Sequence, residues 1–145
     1  MKSLTPGKRL LGVDLGTKTL GLALSDVGRC IATPMQTLKR GKFSQDAQLI
    51  AAIVAEQNVG GIIIGLPINM DGTEGPRAQS SRAYAKNLNR HLKIPVALWD
   101  ERLSTAAAER MLISADTSRA RRAEVIDKVA AAYILQGALD RMGHM

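Results

Sequence analysis

The chain has 145 residues, of which 46% are hydrophobic and 23% charged, a composition typical of one globular domain with a sizeable core. Aromatic residues make up only 3%, which argues against stacking platforms for single-stranded nucleic acid, and no apolar run reaches the length of a membrane span. The formal net charge of +7 favours a polyanionic partner such as nucleic acid, although a solvated basic surface is the simpler alternative.

Residues 1–8 are expected to form a flexible N-terminal tail, and residues 9–145 a single domain. The most informative stretch is GVDLGTKTLGLALSD, from Gly12 to Asp26, in which two apolar runs flank a glycine-containing turn and predict a β-hairpin. Asp14 lies inside the first run, where an ionised carboxylate needs a compensating cation or hydrogen bonds. Gly16 leaves the backbone open to a phosphate or a metal. At this point a metal ligand and an ordinary hydrogen-bonded aspartate are equally good interpretations.

A third strand is predicted over Cys30–Leu38, and Pro34 places it near a sheet edge. Cys30, the only cysteine, stands in an apolar context and is expected to be a core residue; a single cysteine excludes an intrachain disulfide, which fits a reducing compartment. Ser44 is the expected N-cap of a helix that ends near Gln57. The continuous apolar run Ile62–Leu66 is typical of a strand covered on both faces.

The loop Pro67–Gly75 follows that strand at its carboxyl end, where α/β sheets tend to place ligands, although a plain connection is the simpler interpretation. Pro76 suits the first turn of a helix that runs to Leu92. The rest of the chain predicts, in order, a strand over Pro95–Trp99, a short helix capped by Ser104, a polar mobile segment over Ser114–Arg122 and a last helix from Ala123 to Gly143.

This order of elements predicts an α/β fold, with a mixed central sheet whose first three strands are antiparallel and helices on both faces. Three acidic sites then fall on separate elements: Asp14 in the first strand, Asp100 and Glu101 after the last strand, and Asp127 in the last helix. The first and last strands are expected to lie side by side, with Asp14 on the most central strand. Ala130–Ala132 would let the last helix approach the sheet closely.

Three such carboxylates can hold two divalent cations about 3.5–4 Å apart, the arrangement used for in-line phosphodiester displacement. Carboxylates are the appropriate ligands because Mg²⁺ and Mn²⁺ are hard cations. Taken singly, each acid has a plainer interpretation, as a strand-end charge or as a helix acid favoured by the dipole. The joint pattern favours a site.

Four stretches that span nearly the whole chain in order carry a resemblance to a known family: GVDLGTKTLGLALSD, GIIIGLPINMDGTEG, WDERLST and VIDKVAAAYIL. By these motifs the sequence resembles the YqgF/RuvX family of RuvC-like nucleases. The resemblance implies an RNase H-like fold and cleavage of nucleic acid phosphodiesters that depends on a two-metal site of Mg²⁺ or Mn²⁺. It carries Asp14, Glu101 and Asp127 over as catalytic and metal-binding residues. The family often has a basic residue after Lys18, where this chain has Thr19, so the chain departs from the family pattern at one position where a phosphate contact would be expected.

The role assigned to the family is maturation of the 5′ end of pre-16S ribosomal RNA in ribosome biogenesis, and the older proposal is resolution of Holliday junctions in DNA recombination and repair. The expected partner is therefore structured RNA, such as pre-rRNA in ribosomal particles, with branched DNA as the alternative. The protein is expected in the cytoplasm, away from membranes, as a monomer or homodimer. The residues expected to bind nucleic acid are basic or lie in loops: Lys18, Asn69, Arg77, Arg82, Arg102, Arg119, Arg121 and Arg122.

Two other classes of protein are compatible with parts of this pattern. An actin-, Hsp70- or sugar-kinase-like ATPase has a phosphate loop that also reads like DLGTKT, but it needs two lobes around a nucleotide and a second glycine-rich loop, which are not evident in these 145 residues. A non-enzymatic nucleic-acid-binding module would keep the fold and the charge without the chemistry. Tight, specific binding of ATP would favour the first class, and metal binding without any cleavage would favour the second.

Overall fold

The structure is a computed structural model that describes residues 7–103 and 119–143, with the backbone alone for residues 119–127. The strands found in these residues are β1 (Arg9–Leu15), β2 (Thr19–Ser25), β3 (Ala32–Lys39), β4 (Val59–Leu66) and β5 (Val96–Asp100). The helices of the described residues are α1 (Phe43–Glu56), α2 (Pro76–Leu92) and α3 (Arg119–Gly143), and a 3₁₀ turn over Glu101–Leu103 follows β5. The helix expected after Ser104, residues 114–118 of the polar segment and residues 1–6 of the tail lie outside the described residues.

The five strands form one mixed sheet in the order β3-β2-β1-β4-β5. β1, β2 and β3 pair in antiparallel fashion, whereas β4 runs parallel to β1 and β5 runs parallel to β4. The predicted fold class is thus confirmed. Pro34 lies in the edge strand β3, as expected, beside a register shift that falls between Leu22 and Ala23 of β2.

The expectation that the first and last strands are neighbours is wrong. β4 lies between β1 and β5, because each new parallel strand is added on the same side of β1. Any group at the end of β5 therefore has to reach across β4 to come near β1.

Helices cover both faces of the sheet and form two cores. On one face α1 and α2 bury Ile50, Leu88 and the residues Leu11, Val13 and Ile62 of the sheet. On the other face α3 packs its alanine-rich side, with Ile134 and Leu135, against residues that include Leu10 and Ile63. The β4 run is buried along its whole length, as its unbroken apolar sequence predicts. No helix within the described ranges is both long and apolar enough to cross a bilayer.

The starts of two helices differ from prediction for identifiable reasons. α1 begins at Phe43, and its N-cap is Lys42, not Ser44. The buried Asp46 accepts a hydrogen bond from the Gly41 amide at 3.0 Å and fixes the chain ahead of the helix. The last helix begins at Arg119, four residues earlier than predicted, because alanine and arginine are good helix formers even where no apolar period is visible.

Cys30 is exposed and is not a core residue. β3 begins only at Ala32, since the segment before it is a turn organised by Asp26. One carboxylate oxygen, Asp26 Oδ1, accepts hydrogen bonds from the amides of Cys30 and Ile31 at 2.8 and 3.0 Å. The Ile31 and Cys30 amide bonds lower the pKa of Asp26 below its ordinary value. Cys30 thus belongs to an exposed turn and not to a strand.

Candidate active site

Asp14 lies near the carboxyl end of β1, the central strand of the sheet, and only 4% of its surface is exposed. Alternate residues of a strand face opposite sides. Leu11 and Val13 belong to the core beneath α1 and α2, whereas Leu10 belongs to the core beneath α3. Asp14 therefore faces α3, and its predicted place on the most central strand is confirmed.

Gly65 of β4 makes room for the second acid. The pairing of Val13 with Ile64 sets Asp14 and Gly65 at the same level on neighbouring strands. A Cβ atom at Gly65 would lie 3.2 Å from Cγ of Glu101, so the Glu101 side chain occupies the space above this glycine. Glu101 is 9% exposed. The fold thus brings Asp14 and Glu101 to one end and one face of the sheet, separated by a strand that carries no side chain at this level.

Helix α3 crosses the same face at close range. A Cβ atom at Gly12 would lie 2.9 Å from the carbonyl oxygen of Ala131 and 2.7 Å from Cβ of Leu135. Further along the helix, Gln136 accepts a hydrogen bond from the amide of Ala32 at 2.8 Å, on the side where β1 begins. Backbone position 127, one helical turn before Ala131, therefore lies toward the carboxyl end of β1. Asp127 is among the residues for which only the backbone is described.

Within the described side chains, no three His, Cys, Asp or Glu groups cluster as a metal site. Asp14 and Glu101 are two of the three predicted ligands, and the third, Asp127, falls outside the described side chains. Their donor atoms are carboxylate oxygens, which hard divalent cations prefer. The chemistry of this pair therefore fits Mg²⁺ or Mn²⁺.

The loop over residues 67–75 leaves β4 at the end of the sheet where Asp14 lies, because β1 and β4 are parallel. Its own side chains hold it in shape. Asn69 donates from Nδ2 to Thr73 Oγ1 at 3.0 Å, and Asp71 Oδ1 accepts from the Thr73 amide and hydroxyl at 3.0 and 2.6 Å. The bonds from Thr73 lower the pKa of Asp71 below its ordinary value. The exposed Asn69 thus belongs to a preorganised loop.

Two of the arginines predicted to bind nucleic acid are paired with acids of the protein itself. Arg82 donates to both carboxylate oxygens of Glu74, at 2.6 and 2.8 Å. Arg102 donates to Asp100, with the shortest contact at 2.8 Å. These bonds hold the pKa of Glu74 and of Asp100 below their ordinary values. Each pair is largely neutral, which reduces its attraction for a phosphate.

The other predicted contacts lie around the end of β1 and at the start of α3. Lys18 is exposed at the β1–β2 turn. Arg77, in the first turn of α2, is exposed and donates from Nη2 to the carbonyl of Leu15 at 3.3 Å. Only the backbone is described for the three arginines at the start of α3: Arg119, Arg121 and Arg122.

Sequence reasoning missed Gly65, which contributes no functional group but leaves the space that Glu101 fills. The available signal was an isolated glycine inside an otherwise apolar strand, Ile62-Ile63-Ile64-Gly65-Leu66, a pattern that marks a close approach of another group.

Comparisons with known proteins all indicate the same family of nucleases. The RuvX family, described as Holliday junction resolvase, matches residues 8–141. A protein of Paramagnetospirillum magneticum named "Putative pre-16S rRNA nuclease" is 62% identical over 140 residues, which cover 97% of this chain and 90% of the relative. A protein of Cereibacter sphaeroides with the same name is 65% identical over 133 residues, which cover 92% of this chain and 83% of the relative.

Two solved structures support the fold. RuvC of Thermus thermophilus in complex with a Holliday junction substrate has a TM-score of 0.57 at 12% identity, covering 94% of this chain and 96% of RuvC. The yeast mitochondrial Holliday junction resolvase has a TM-score of 0.50 at 13% identity, covering 97% of this chain and 82% of that protein. At such low identity the likeness shows a shared RNase H-like fold. With the family match over residues 8–141 and relatives at 62% and 65% identity, the chain belongs to the RuvX family.

Proposed function

We propose that this protein is a metal-dependent nuclease that hydrolyses phosphodiester bonds of precursor 16S ribosomal RNA near its 5′ end. The observation that supports the chemistry most is the position of the Glu101 side chain, above Gly65 and level with Asp14 on the next strand. The relatives named for pre-16S rRNA, at 62% and 65% identity, support the choice of substrate.

In this proposal Asp14, Glu101 and Asp127 hold two Mg²⁺ or Mn²⁺ ions. When bound, such ions supply a nucleophilic water at neutral pH and stabilise the leaving oxygen of an in-line displacement. Asp14 would be the best-fixed of these ligands because it lies on the central strand of the sheet. Its rigid backbone, paired to β2 on one side and β4 on the other, keeps the carboxylate oriented. Asp127 would complete the set from α3.

The protein's own residues also orient the substrate. The loop over residues 67–75 would flank the cleft, with Asn69 near one wall. The basic residues would contact phosphates and give binding that weakens with salt. In this role we place Lys18, Arg77, Arg82, Arg102, Arg119, Arg121 and Arg122. Arg82 and Arg102 would contribute less than the others, because Glu74 and Asp100 already engage them.

The expected setting is a ribosomal particle in the cytoplasm, with the protein acting as a monomer or homodimer. Structured RNA would be the partner, and the formal net charge of +7 suits it.

A second candidate function is the resolution of Holliday junctions in DNA recombination and repair. The description of the RuvX family and the fold shared with RuvC support it. The same carboxylates would serve, because the chemistry at a DNA phosphodiester is the same displacement. The two functions differ in which nucleic acid the basic surface accepts.

One preparation assayed on two substrates tests these proposals. We expect a precursor rRNA fragment that contains the 5′ end of 16S rRNA to be cleaved in Mg²⁺ or Mn²⁺ and left intact in EDTA. A four-way DNA junction of equal charge should be cleaved poorly. Preferential cleavage of the junction would instead support the resolvase function. Metal binding without cleavage of either substrate would contradict both and favour a binding module.

A further inference from the structure

A small pocket lies beside the β1–β2 turn, and two arginines are among the residues that line it. Its volume is about 120 Å³, and its wall is formed by Arg40, Arg77, Pro76, Ser80 and the segment 15–17. Pockets for whole small molecules are larger, about 300–1,000 Å³. The size of this pocket therefore suits a single phosphate group and not a complete nucleotide. None of the lining residues is acidic.

Arg40 is held in place from two directions. Its Nη1 donates to the carbonyl of Gly16 at 2.6 Å, and its guanidinium carbon lies 5.6 Å from the centre of the Tyr84 ring. The Tyr84 hydroxyl in turn donates to Asp46 Oδ2 at 3.4 Å. A side chain fixed in this way loses little further freedom when it binds an anion. Arg40 carries five N–H donors, so the bond to Gly16 leaves donors for a ligand.

Arg77 faces the same space from the first turn of α2. Its Nη2 bond to the Leu15 carbonyl ties it to the end of β1, and the planar guanidinium matches the oxygens of a phosphate. No side chain caps the start of this helix, at Gly75, so the positive end of its dipole adds to the two charges.

The pocket and the candidate carboxylates lie on opposite faces of one strand end. Leu15, which lines the pocket, belongs to the core beneath α1 and α2, whereas Asp14 faces α3. The Cα atoms of Asp14 and Gly16 are at most about 7 Å apart, the length of two residues of extended chain. One nucleic acid strand that passes this strand end can therefore contact both sites through different phosphates.

We propose that the pocket lined by Arg40, Arg77 and Ser80 binds a non-scissile phosphate of the strand being cut, and so determines which phosphodiester reaches Asp14. The inference rests on the proposed nuclease function. It adds a phosphate-binding position to the proposed active site. The carboxylates perform the chemistry, and the arginine pocket determines the register of the nucleic acid strand.

Inorganic phosphate tests the pocket without substrate or metal. In EDTA, titration of ¹⁵N-labelled protein with phosphate should move the amide signals of residues 15–17, 40 and 77 more than those of the remaining surface. Arg77→Gln should weaken this binding by roughly tenfold, because charge-assisted bonds to phosphate are strong. The matched control is Arg90→Gln, which removes an equal charge from the last turn of the same helix, about 20 Å away. The proposal would be wrong if the signal shifts were spread over the whole basic surface, or if Arg90→Gln weakened phosphate binding as much as Arg77→Gln.

The second test measures how the pocket variants bind and cleave RNA. Arg77→Gln and Arg40→Gln should each lower the salt slope of binding to a single-stranded RNA by about 0.7, the value for one lost phosphate contact. Both variants should also cut the rRNA fragment at several neighbouring positions, whereas Arg90→Gln should cut it at the same position as the wild type. An unchanged slope and position in both pocket variants would overturn the inference while leaving the nuclease function intact. Localised phosphate binding in a protein that cleaves nothing would support the pocket and contradict the nuclease function.

Discussion

Glu101 occupies the space above Gly65 that any other side chain would fill. A Cβ atom at position 65 would lie 3.2 Å from Glu101 Cγ and 2.5 Å from Cδ1 of Ile134 in α3. Because Gly65 stands level with Asp14, one backbone position governs both the packing of α3 on the sheet and the position of the second candidate carboxylate.

Replacing this glycine should harm stability and cleavage together. Gly65→Ala forces the added methyl group against Ile134 and Glu101, and overpacking of this kind costs about 1–3 kcal/mol of unfolding free energy. Displacement of Glu101 should lower cleavage further than the loss of folded protein explains. Urea unfolding and cleavage rates at saturating RNA, measured on the same preparation, separate the two effects.

Gly28→Ala is the matched control for that substitution. The nearest atom to its added Cβ is Asp26 Oδ2 at 3.4 Å, an ordinary contact on an exposed turn. We expect a stability change within about 0.5 kcal/mol and unchanged cleavage. If Gly65→Ala resembles this control in both measurements, the assigned role of Gly65 is wrong.

The pairing of Arg82 with Glu74 leads to a prediction about binding. Glu74→Gln removes the carboxylate that accepts two hydrogen bonds from Arg82 and so releases the guanidinium for a phosphate. Affinity for the rRNA fragment at low salt should rise and the salt slope should steepen, by up to about 0.7 for one added single-strand contact. Fluorescence anisotropy over a salt series measures both. If Glu74→Gln and Arg82→Gln both leave the slope unchanged, Arg82 does not contact nucleic acid.

Asp100 should titrate differently when Arg102 is removed. Hydrogen bonds from Arg102 are the main cause that lowers the pKa of Asp100 below 3.8. In Arg102→Gln the pKa should rise toward 3.8. Because the folded-state pKa is depressed, the pair adds stability above about pH 4 and loses it as the pH falls through the lowered value. The wild type and the variant should therefore converge in stability at strongly acidic pH.

Carboxyl chemical shifts followed from pH 2 to 6 measure this change directly. Asp26 serves as an internal control, since backbone amides of Ile31 and Cys30 lower its pKa and Arg102 plays no part. A shift of Asp26 alongside Asp100 would point to general unfolding and not to a lost ion pair.

Much of the fold followed from local patterns in the sequence. The turn between two apolar runs identified the β1–β2 hairpin, and Pro76 marked the start of α2, which the structure has over the predicted Pro76–Leu92. Both signals depend on residues close together in the chain, where turn and cap chemistry act directly.

The features that sequence reasoning missed depend on contacts between distant residues. Strand order is one such feature, because nothing in the sequences of β1 and β5 indicates that β4 lies between them. The N-cap of α1 is another, since the buried Asp46 reaches back to Gly41 and so displaces Ser44 from the cap. The motifs predict the acidic pair, but the position of Glu101 over Gly65, level with Asp14, depends on contacts between three separate elements and cannot be deduced from local sequence.

We expect Asp14 to hold the metal on which the proposed nuclease activity depends. Asp14→Asn keeps the size and most hydrogen bonding of the side chain but removes its charge, so the fold should survive. Cleavage of the precursor rRNA 5′ fragment in Mg²⁺ should fall by orders of magnitude, because the ion-dependent chemistry loses a ligand. RNA binding should change far less, since the basic residues provide it.

The decisive measurement is the rate of Mg²⁺-dependent cleavage of that fragment by wild type and Asp14→Asn, purified identically and matched in circular dichroism and RNA affinity. The account predicts cleavage by the wild type that EDTA abolishes, and cleavage by the variant at least about a hundredfold slower. Equal rates in the two proteins, or wild-type cleavage that persists in EDTA, would contradict it.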